Sequence, residues 1–379
     1  MSNIASLRLG GPTLLPDGSI RESTLELHNG LIAAIRSGVE TGCDLQVNGV
    51  IVPGYIDLQF NGGFGFDITE APASAAECAA RLPQTGVTGF LPTIITAPLE
   101  EYPAAYPQIH DAQKNASGAR ILGLHLEGPY LNPLRKGAHR QEYIRSIDPD
   151  EVLAYCDTGL PTLVTLAAEQ PGGLETVRRL RERGVIVSIG HTDATCEQAE
   201  AAFEAGVAWG THLYNAMRPF THREPGVIGA LLASDVPCGI IPDGVHVHPA
   251  AVRAAYRAKG PAGLTLVTDA MQAMGMPPGK YNLACREVTV TGQDVRLSDG
   301  TLAGSILSMD AAVRNMMEFT GCSLAEAVQM ASGTPARLLG LQDRLGEIRT
   351  GLQADLTILD QHLQVEACLI GGLLAYQRQ

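Results

Sequence analysis

Eight short apolar segments separated by stretches of helical composition constrain the fold of this chain more than any other feature. We interpret the segments as strands; in order they are VIVPGYIDLQF (50–60), VTGFLPTII (87–95), ILGLHLE (121–127), TLVTLA (162–167), GVIVSIGH (184–191), VAWGTHL (207–213), CGIIPDG (238–244) and LTLVTDA (264–270). Helical sequences such as SAAECAARLPQTG (74–86) and TCEQAEAAFEAG (195–206) lie between them. Strands that alternate with helices indicate parallel βα units. Eight such units predict an α/β fold with a (β/α)8 barrel of the TIM type.

An open, doubly wound sheet is the main alternative to the barrel. It is disfavoured because no Gly-x-Gly-x-x-Gly motif follows the first strand, as a dinucleotide-binding fold would require. After the eighth strand an inserted β segment, YNLACREVTVTGQDVRLSDG (281–300), precedes two further helical stretches at 305–321 and 323–333.

The two ends of the chain differ from the middle. Both contain short alternating runs broken by glycine and asparagine, such as TLELHNGLIAAIRSG near the start and ADLTILD near the end. Neither end has enough apolar residues to build a sheet core alone. We therefore predict a small β-sandwich domain formed by residues 1–50 plus 347–379, and a catalytic barrel over residues 51–346. Two unrelated tails are the alternative.

The composition excludes several classes of protein. With 45% hydrophobic and 18% charged residues, the 379-residue chain is expected to fold. Its formal net charge of -13 argues against a nucleic-acid or anionic-membrane partner. We expect a cytoplasmic protein, because there is no signal-peptide pattern and no apolar run approaching ~18 residues. The eight cysteines include no Cys-x-x-Cys, so a metal site would have to use His, Asp and Glu.

Polar residues stand where the predicted strands end, which is where a barrel carries its active site. These residues are Gln59, Asn61, Thr93, Glu127, Glu169, His191, His212, Asp243, His246 and Asp269. Glu127, His191 and His212 together suit a catalytic divalent metal ion. Taken singly, each has a structural explanation: an ion pair for Glu127, a helix start beside His191, a hydrogen-bonded core position for His212. Asp269 is placed to take a proton from water, or else caps a helix.

Several longer motifs carry a resemblance to a known family. They are GLHLEGPYLNPLRKGAH (123–139), VSIGHTDAT (187–195), THLYNAM (211–217), VIGA (227–230), PDGVHVHP (242–249) and LVTDAM (266–271). Over essentially the whole chain these motifs resemble the N-acetylglucosamine-6-phosphate deacetylases of the amidohydrolase superfamily. The resemblance implies metal-dependent hydrolysis of the N-acetyl group of N-acetyl-D-glucosamine 6-phosphate.

The resemblance also implies roles for particular residues. The metal ligands would be Glu127, His191 and His212, with Asp269 as general base and acid and His139 polarising the acetyl carbonyl. The substrate contacts would be Ala138, Asn215, Ala216, Arg223, His246, Leu302, Ala303 and Gly304. Of these, Arg223 and His246 would meet the phosphate. A homodimer is implied, because in related enzymes part of the phosphate site comes from the neighbouring subunit.

One departure from the wider superfamily concerns the end of the first strand. Most members carry His-x-His there, whereas this chain reads Gln59-Phe60-Asn61. Neutral amides are poor zinc ligands compared with imidazole, so we predict one divalent ion per chain. The ligand set fits Zn²⁺ best and also accepts Fe²⁺.

Three other functions stay open at this point. One is the galactosamine epimer as substrate, because one hydroxyl distinguishes the two sugars. Another is a different amidohydrolase of the dihydroorotase or isoaspartyl-dipeptidase type; those enzymes use the His-x-His pair that this chain lacks. The third is a non-catalytic sugar-phosphate sensor, which would not need Asp269.

Overall fold

The computed structural model describes residues 6–292 and 294–379. Residues 1–5 of the predicted segment 1–50, and Gln293 of the predicted insertion, lie outside the described residues.

A parallel barrel forms the centre of the molecule. Its strands are Tyr55–Phe60, Val87–Ile95, Leu124–Glu127, Pro161–Leu166, Ile186–Ile189, Trp209–Gly210, Cys238–Ile240 and Leu264–Leu266. Each neighbouring pair is parallel and hydrogen bonded in chain order. The circle is closed beyond the eighth strand, where the Asp269 amide donates to the Gln59 carbonyl at 2.9 Å and the Asn61 amide donates to the Ala270 carbonyl at 2.9 Å. The predicted (β/α)8 barrel is confirmed.

Helices follow the strands around the barrel. Their bounds are Ala75–Arg81, Glu101–Asn115, Pro149–Cys156, Gly173–Glu182, Cys196–Ala205, Gly226–Ala233, Pro249–Lys259, Met309–Thr320, Leu324–Val328 and Thr334–Leu338, with a π turn at Gln329–Gly333. Short 3-10 turns span Pro72–Ser74, Leu82–Thr85, Pro133–Arg135 and Gln141–Tyr143. Sequence determines the boundaries locally: Thr195 and Gln198 form a capping box at the start of one helix, and Gly206 ends it. Within the described ranges, no helix has the length and apolarity needed to cross a bilayer.

Strands from both chain ends form one continuous sheet. They are Leu7–Leu14, Ile20–His28, Leu31–Ser37, Leu45–Gln46, Val50–Pro53, Leu356–Leu359, Val365–Ile370 and Leu373–Gln377. Strand Val50–Pro53 joins the two groups, because it pairs with Leu356–Leu359 on one side and with the first strand on the other. Inward-facing residues from both ends share a hydrophobic cluster that includes Leu9, Leu25 and Leu356. The two ends are therefore not unrelated tails.

The segment VIVPGYIDLQF is two strands rather than one. Val50–Pro53 belongs to the small sheet and Tyr55–Phe60 to the barrel, and Gly54 lies between them. A Cβ on Gly54 would come within 2.2 Å of the Thr88 hydroxyl oxygen, so only glycine lets the chain pass this close to the second barrel strand. The apolar pattern is continuous across Gly54 because both strands are buried.

The inserted segment forms its own antiparallel sheet. Its strands are Gly279–Leu283, Arg286–Thr291 and Asp294–Leu297. This sheet packs on a small cluster that includes Met271 and Ala303, so it lies beside the end of the eighth barrel strand. Additional two-residue strands are Gly62–Gly63, Phe66–Asp67 and Arg120–Ile121.

Candidate active site

A cavity of about 260 Å³ opens at the carboxyl ends of the barrel strands. Its lining consists of Asn61, Ile95, Glu127, Gly137, Ala138, His139, His191, His212, Asn215, Ala216, His246, Asp269, Leu283, Thr301, Leu302 and Gly304. Most of the predicted site residues are therefore brought together. Ala303 is fully buried behind the lining, and Arg223 lies on an exposed loop outside it.

Glu127, His191 and His212 converge on one point. Glu127 Oε1 lies 3.2 Å from His191 Nε2 and 3.0 Å from His212 Nε2, and the two Nε2 atoms are 3.1 Å apart. Three ligands held about 2.0–2.2 Å from a tetrahedral ion would be roughly 3.3–3.6 Å from one another, slightly farther apart than these atoms are. These spacings and this donor set fit a divalent cation.

Electrostatics support the same interpretation. Burial acts to raise the pKa of Glu127, but hydrogen bonds that His191 and His212 donate when protons take the place of the ion outweigh it and hold that pKa well below its ordinary value. Burial acts to lower the pKa of His212, and the bond to Glu127 reverses this so that the pKa is raised. His212 Nδ1 is buried and has no hydrogen-bond partner among the described residues. A divalent cation bound at the two Nε2 atoms would neutralise the charge of the buried carboxylate and leave both imidazoles neutral.

A further imidazole lies within reach of the same point. His139 offers a ligand atom that, together with those of Glu127 and His191, falls within 4.8 Å. The His139 and His191 ring centroids are 4.3 Å apart. Proximity alone therefore does not choose between His139 and His212 as the third ligand. The hydrogen bonds made by each ring distinguish the two candidates.

Asp269 lies beside this cluster and is held by two amides. Its Oδ1 accepts hydrogen bonds from Asn61 Nδ2 at 2.6 Å and from Gln59 Nε2 at 3.3 Å. Gln59 Nε2 also donates to Glu127 Oε1 at 3.0 Å. Burial and the neighbouring Glu127 charge raise the pKa of Asp269 to about 6. The sequence identified Gln59 and Asn61 only as poor ligands; their role here as donors to both carboxylates was missed.

His139 is fixed by the residue that follows the second barrel strand. Its Nδ1 lies 2.7 Å from Thr96 Oγ1 and accepts from the Thr96 amide at 3.4 Å. Burial, with the nearby His191, lowers the pKa of His139 well below its ordinary value. Thr96 was also missed, because the sequence drew attention to Thr93, whose hydroxyl instead accepts from the Phe60 amide.

His246 and Arg223, the predicted phosphate contacts, have different surroundings. His246 Nδ1 lies 2.6 Å from Asp243 Oδ2, which leaves its other nitrogen for the cavity that it lines. The bond from His246 lowers the pKa of Asp243 against the opposing effect of burial. Arg223 does not reach the cavity of its own chain.

The backbone at the site is unusual. His191, His212 and Asp269 have φ values of 47°, 29° and 48°, and Ala216 has 48°. Non-glycine residues seldom adopt this left-handed conformation, and it concentrates at functional sites. The turn after each strand thus directs the side chain into the cavity at a cost in backbone energy.

Comparison with known proteins agrees with this geometry. The model of the amidohydrolase family matches residues 50–374. The N-acetylglucosamine-6-phosphate deacetylase of Bos taurus is 42% identical over 86% of this chain and 84% of its own length. The N-acetylgalactosamine-6-phosphate deacetylase of Escherichia coli O157:H7 is 41% identical over 96% and 97%.

A solved relative has the same fold. It is a mutant N-acetyl-D-glucosamine-6-phosphate deacetylase of Mycobacterium smegmatis, in complex with N-acetyl-D-glucosamine-6-phosphate. It superposes with a TM-score of 0.93 at 33% identity, covering 98% of this chain and all of that one. The chain belongs to the amidohydrolase family, in its branch of N-acetylglucosamine-6-phosphate deacetylases.

Proposed function

We propose that this protein hydrolyses the N-acetyl group of N-acetyl-D-glucosamine 6-phosphate to give D-glucosamine 6-phosphate and acetate, using one divalent metal ion. The observation that carries the proposal is the convergence of Glu127, His191 and His212 beside Asp269 in one cavity. Relatives in this branch are named as enzymes that catalyse the same reaction.

The metal would be held by Glu127, His191 and His212. When bound, a divalent cation lowers the pKa of water to ~7 and polarises a carbonyl group. Zn²⁺ suits one carboxylate and two imidazoles, and Fe²⁺ accepts the same set. Elemental analysis of protein purified without added metal tests this: we expect about one ion of zinc per chain, and iron in its place would correct the metal without changing the site.

Asp269 moves the proton. Oδ1 is held by Asn61 and Gln59, and the second oxygen, which has no hydrogen-bond partner in the part of the chain that the structure describes, would accept a proton from the attacking water. A pKa of about 6 lets it act as base near neutral pH and then return the proton to the sugar nitrogen as the C–N bond breaks. His139 donates a hydrogen bond to the carbonyl oxygen as negative charge develops on it.

The substrate is held by the rest of the predicted set. The backbone of Ala138, Asn215 and Ala216 would contact the sugar. Leu302, Ala303 and Gly304, which follow the inserted sheet in the chain, would close over it. His246 would contact the phosphate. Arg223 would complete the phosphate site of a neighbouring subunit in a homodimer, because it is exposed and does not line the cavity of its own chain. The residue roles, the homodimer and the cytoplasmic location remain predictions. So do the bounds of the two domains, which are 1–50 plus 347–379 for the small domain and 51–346 for the barrel.

Arg223→Ala tests the phosphate contact against Arg178→Ala, an exposed arginine on a barrel helix. We expect Arg223→Ala to raise KM at least about tenfold, a loss of about 1.4 kcal/mol, for phosphorylated sugar and far less for unphosphorylated sugar. Arg178→Ala should change neither. An equal effect of Arg223→Ala on both substrates would remove Arg223 from the phosphate site.

The galactosamine epimer is the second candidate substrate. It is favoured by the Escherichia coli relative, which this chain matches over nearly its full length. Acetate release from both epimers, each with and without the 6-phosphate, decides between them. We expect the highest kcat/KM for N-acetyl-D-glucosamine 6-phosphate. A higher kcat/KM for the galactosamine epimer would make that sugar the substrate. If neither epimer released acetate, a non-catalytic sugar-phosphate sensor would be the remaining function.

A further inference from the structure

The two neighbouring imidazoles of the cavity, His139 and His191, have Nδ1 atoms that face opposite kinds of backbone group. The His191 Nδ1 atom lies 2.9 Å from the Arg135 carbonyl oxygen. A carbonyl can only accept, so His191 Nδ1 carries the hydrogen and its Nε2 keeps a lone pair. That lone pair is directed at the point shared with Glu127 and His212. A metal-ligating histidine is commonly oriented in this way.

His139 has the reverse arrangement. The Thr96 backbone amide donates to its Nδ1 at 3.4 Å, and the Thr96 hydroxyl lies 2.7 Å from the same atom. An amide N–H can only donate, so Nδ1 must supply the lone pair. The hydrogen of a neutral His139 ring therefore sits on Nε2, the nitrogen left for the cavity.

We propose that Thr96 is a positioning residue that fixes His139 as its Nε2–H tautomer, so that His139 donates a hydrogen bond to the substrate and is not a metal ligand. The catalytic part of this inference rests on the proposed deacetylation. The tautomer itself does not, because it follows from the hydrogen bond that the Thr96 backbone amide donates to Nδ1. The inference also decides the third ligand, since only His212 then has Nε2 available beside Glu127 and His191.

Thr96 is itself held in place. It is 1% exposed and follows directly on the second barrel strand. Gly128 faces it with φ +91°, and a Cβ on Gly128 would come within 2.3 Å of the Thr96 hydroxyl oxygen. Glycine at this position therefore leaves room for the hydroxyl that contacts His139.

The direct test is the protonation pattern of the His139 ring in the wild-type, metal-loaded protein. Long-range ¹H–¹⁵N correlation spectra of histidine-labelled protein separate protonated from bare ring nitrogens, and His139→Gln assigns the signals. We expect a hydrogen on Nε2 and a bare Nδ1. A hydrogen on Nδ1, or a metal-shifted Nε2, overturns the inference whether or not the protein releases acetate.

The functional test uses Thr96→Val, which removes the hydroxyl at nearly constant shape. We expect kcat to fall by about tenfold or more, toward the roughly hundredfold to thousandfold loss that follows removal of a transition-state donor, with KM and metal content unchanged. Thr96→Ser should restore kcat, and the matched control Thr165→Val, beside buried His125, should leave it near wild type. A Thr96→Val protein that loses metal, or keeps full kcat, contradicts the role. Wild-type protein without activity would defeat the proposed reaction but leave the spectroscopic result standing.

Discussion

The mouth of the barrel and the core of the small β domain bury their side chains in contrasting ways. The core is aliphatic, with Leu9, Leu25 and Leu356 fully buried, and its contacts need no partner from outside. At the mouth, Glu127 and His212 are almost as deeply buried, but their side chains are charged or polar. The backbone of His212 and of neighbouring His191 is in the left-handed region. Stability and chemistry are thus assigned to separate regions, and each can be perturbed with little effect on the other.

The largest expected effect is on chemistry alone. Asp269→Asn should lower kcat by about a hundredfold to ten-thousandfold, because the shape is kept and the proton acceptor is lost. The free energy of unfolding of the metal-free protein at pH 7 should not fall, since burial already disfavours the charged form of Asp269. Steady-state kinetics and denaturant unfolding measure the two quantities. Asp111→Asn, on an exposed helix face, is the control; activity of Asp269→Asn within tenfold of wild type would end its assignment as base.

The second prediction perturbs the small domain. Leu356→Ala should lower the free energy of unfolding by about 2–5 kcal/mol, while kcat per folded molecule stays near wild type. Leu9→Ala, from the other chain end, should cost a similar amount. If the two ends share one core, the double variant should depart from additivity. Strict additivity would argue against the single domain proposed for 1–50 plus 347–379.

A smaller effect is expected where the small β domain contacts the amino-terminal end of the barrel strands, away from the mouth. Arg120 and Asp355 form a two-pronged pair, with Nε–Oδ2 at 2.8 Å and Nη2–Oδ1 at 3.1 Å, and Asp355 is nearly buried. Arg120→Met should cost about 1–3 kcal/mol, because the carboxylate loses its charged partner. Arg36→Met, which breaks an exposed pair with Glu26, should cost less. Equal costs would show that the buried position of Asp355 does not matter.

The last prediction concerns the slope of stability against pH and not the stability at one pH. Burial raises the pKa of Asp57 to about 7, above its unfolded value of about 3.9. The folded state therefore holds a proton that the unfolded state has released, so Asp57 lowers stability as pH rises from about 4 to about 7. Asp57→Asn should gain stability relative to wild type over this interval, by about 1.4 kcal/mol at most for each pH unit between the two pKa values. Unfolding curves at several pH values check this, and a constant difference would refute it.

The barrel could be predicted because its strands are apolar runs at regular spacing. The neighbouring strand of each segment could not always be inferred from the sequence. VIVPGYIDLQF looks like one strand, because the composition does not show that the chain passes from one sheet to another at Gly54. The convergence of Glu127, His191 and His212 followed from their positions at strand ends.

The roles of other residues at the site could not be predicted from the sequence. Gln59 and Asn61 looked like absent ligands, because their donor role depends on how far the first strand is from Asp269. Thr96 was not identified because its contact is with a residue 43 positions away. Such contacts depend on tertiary distances that no local pattern encodes.

The bonds that close the barrel have a consequence for folding. The Asp269 amide and the Gln59 carbonyl join the first and last barrel strands, and the side chains of the same two residues touch one another. The carboxylate that we propose as the general base therefore reaches this position only when the barrel is closed. A partly assembled chain, with seven strands in place and the last one undocked, would be catalytically silent, so recovery of activity during refolding reports the final docking step.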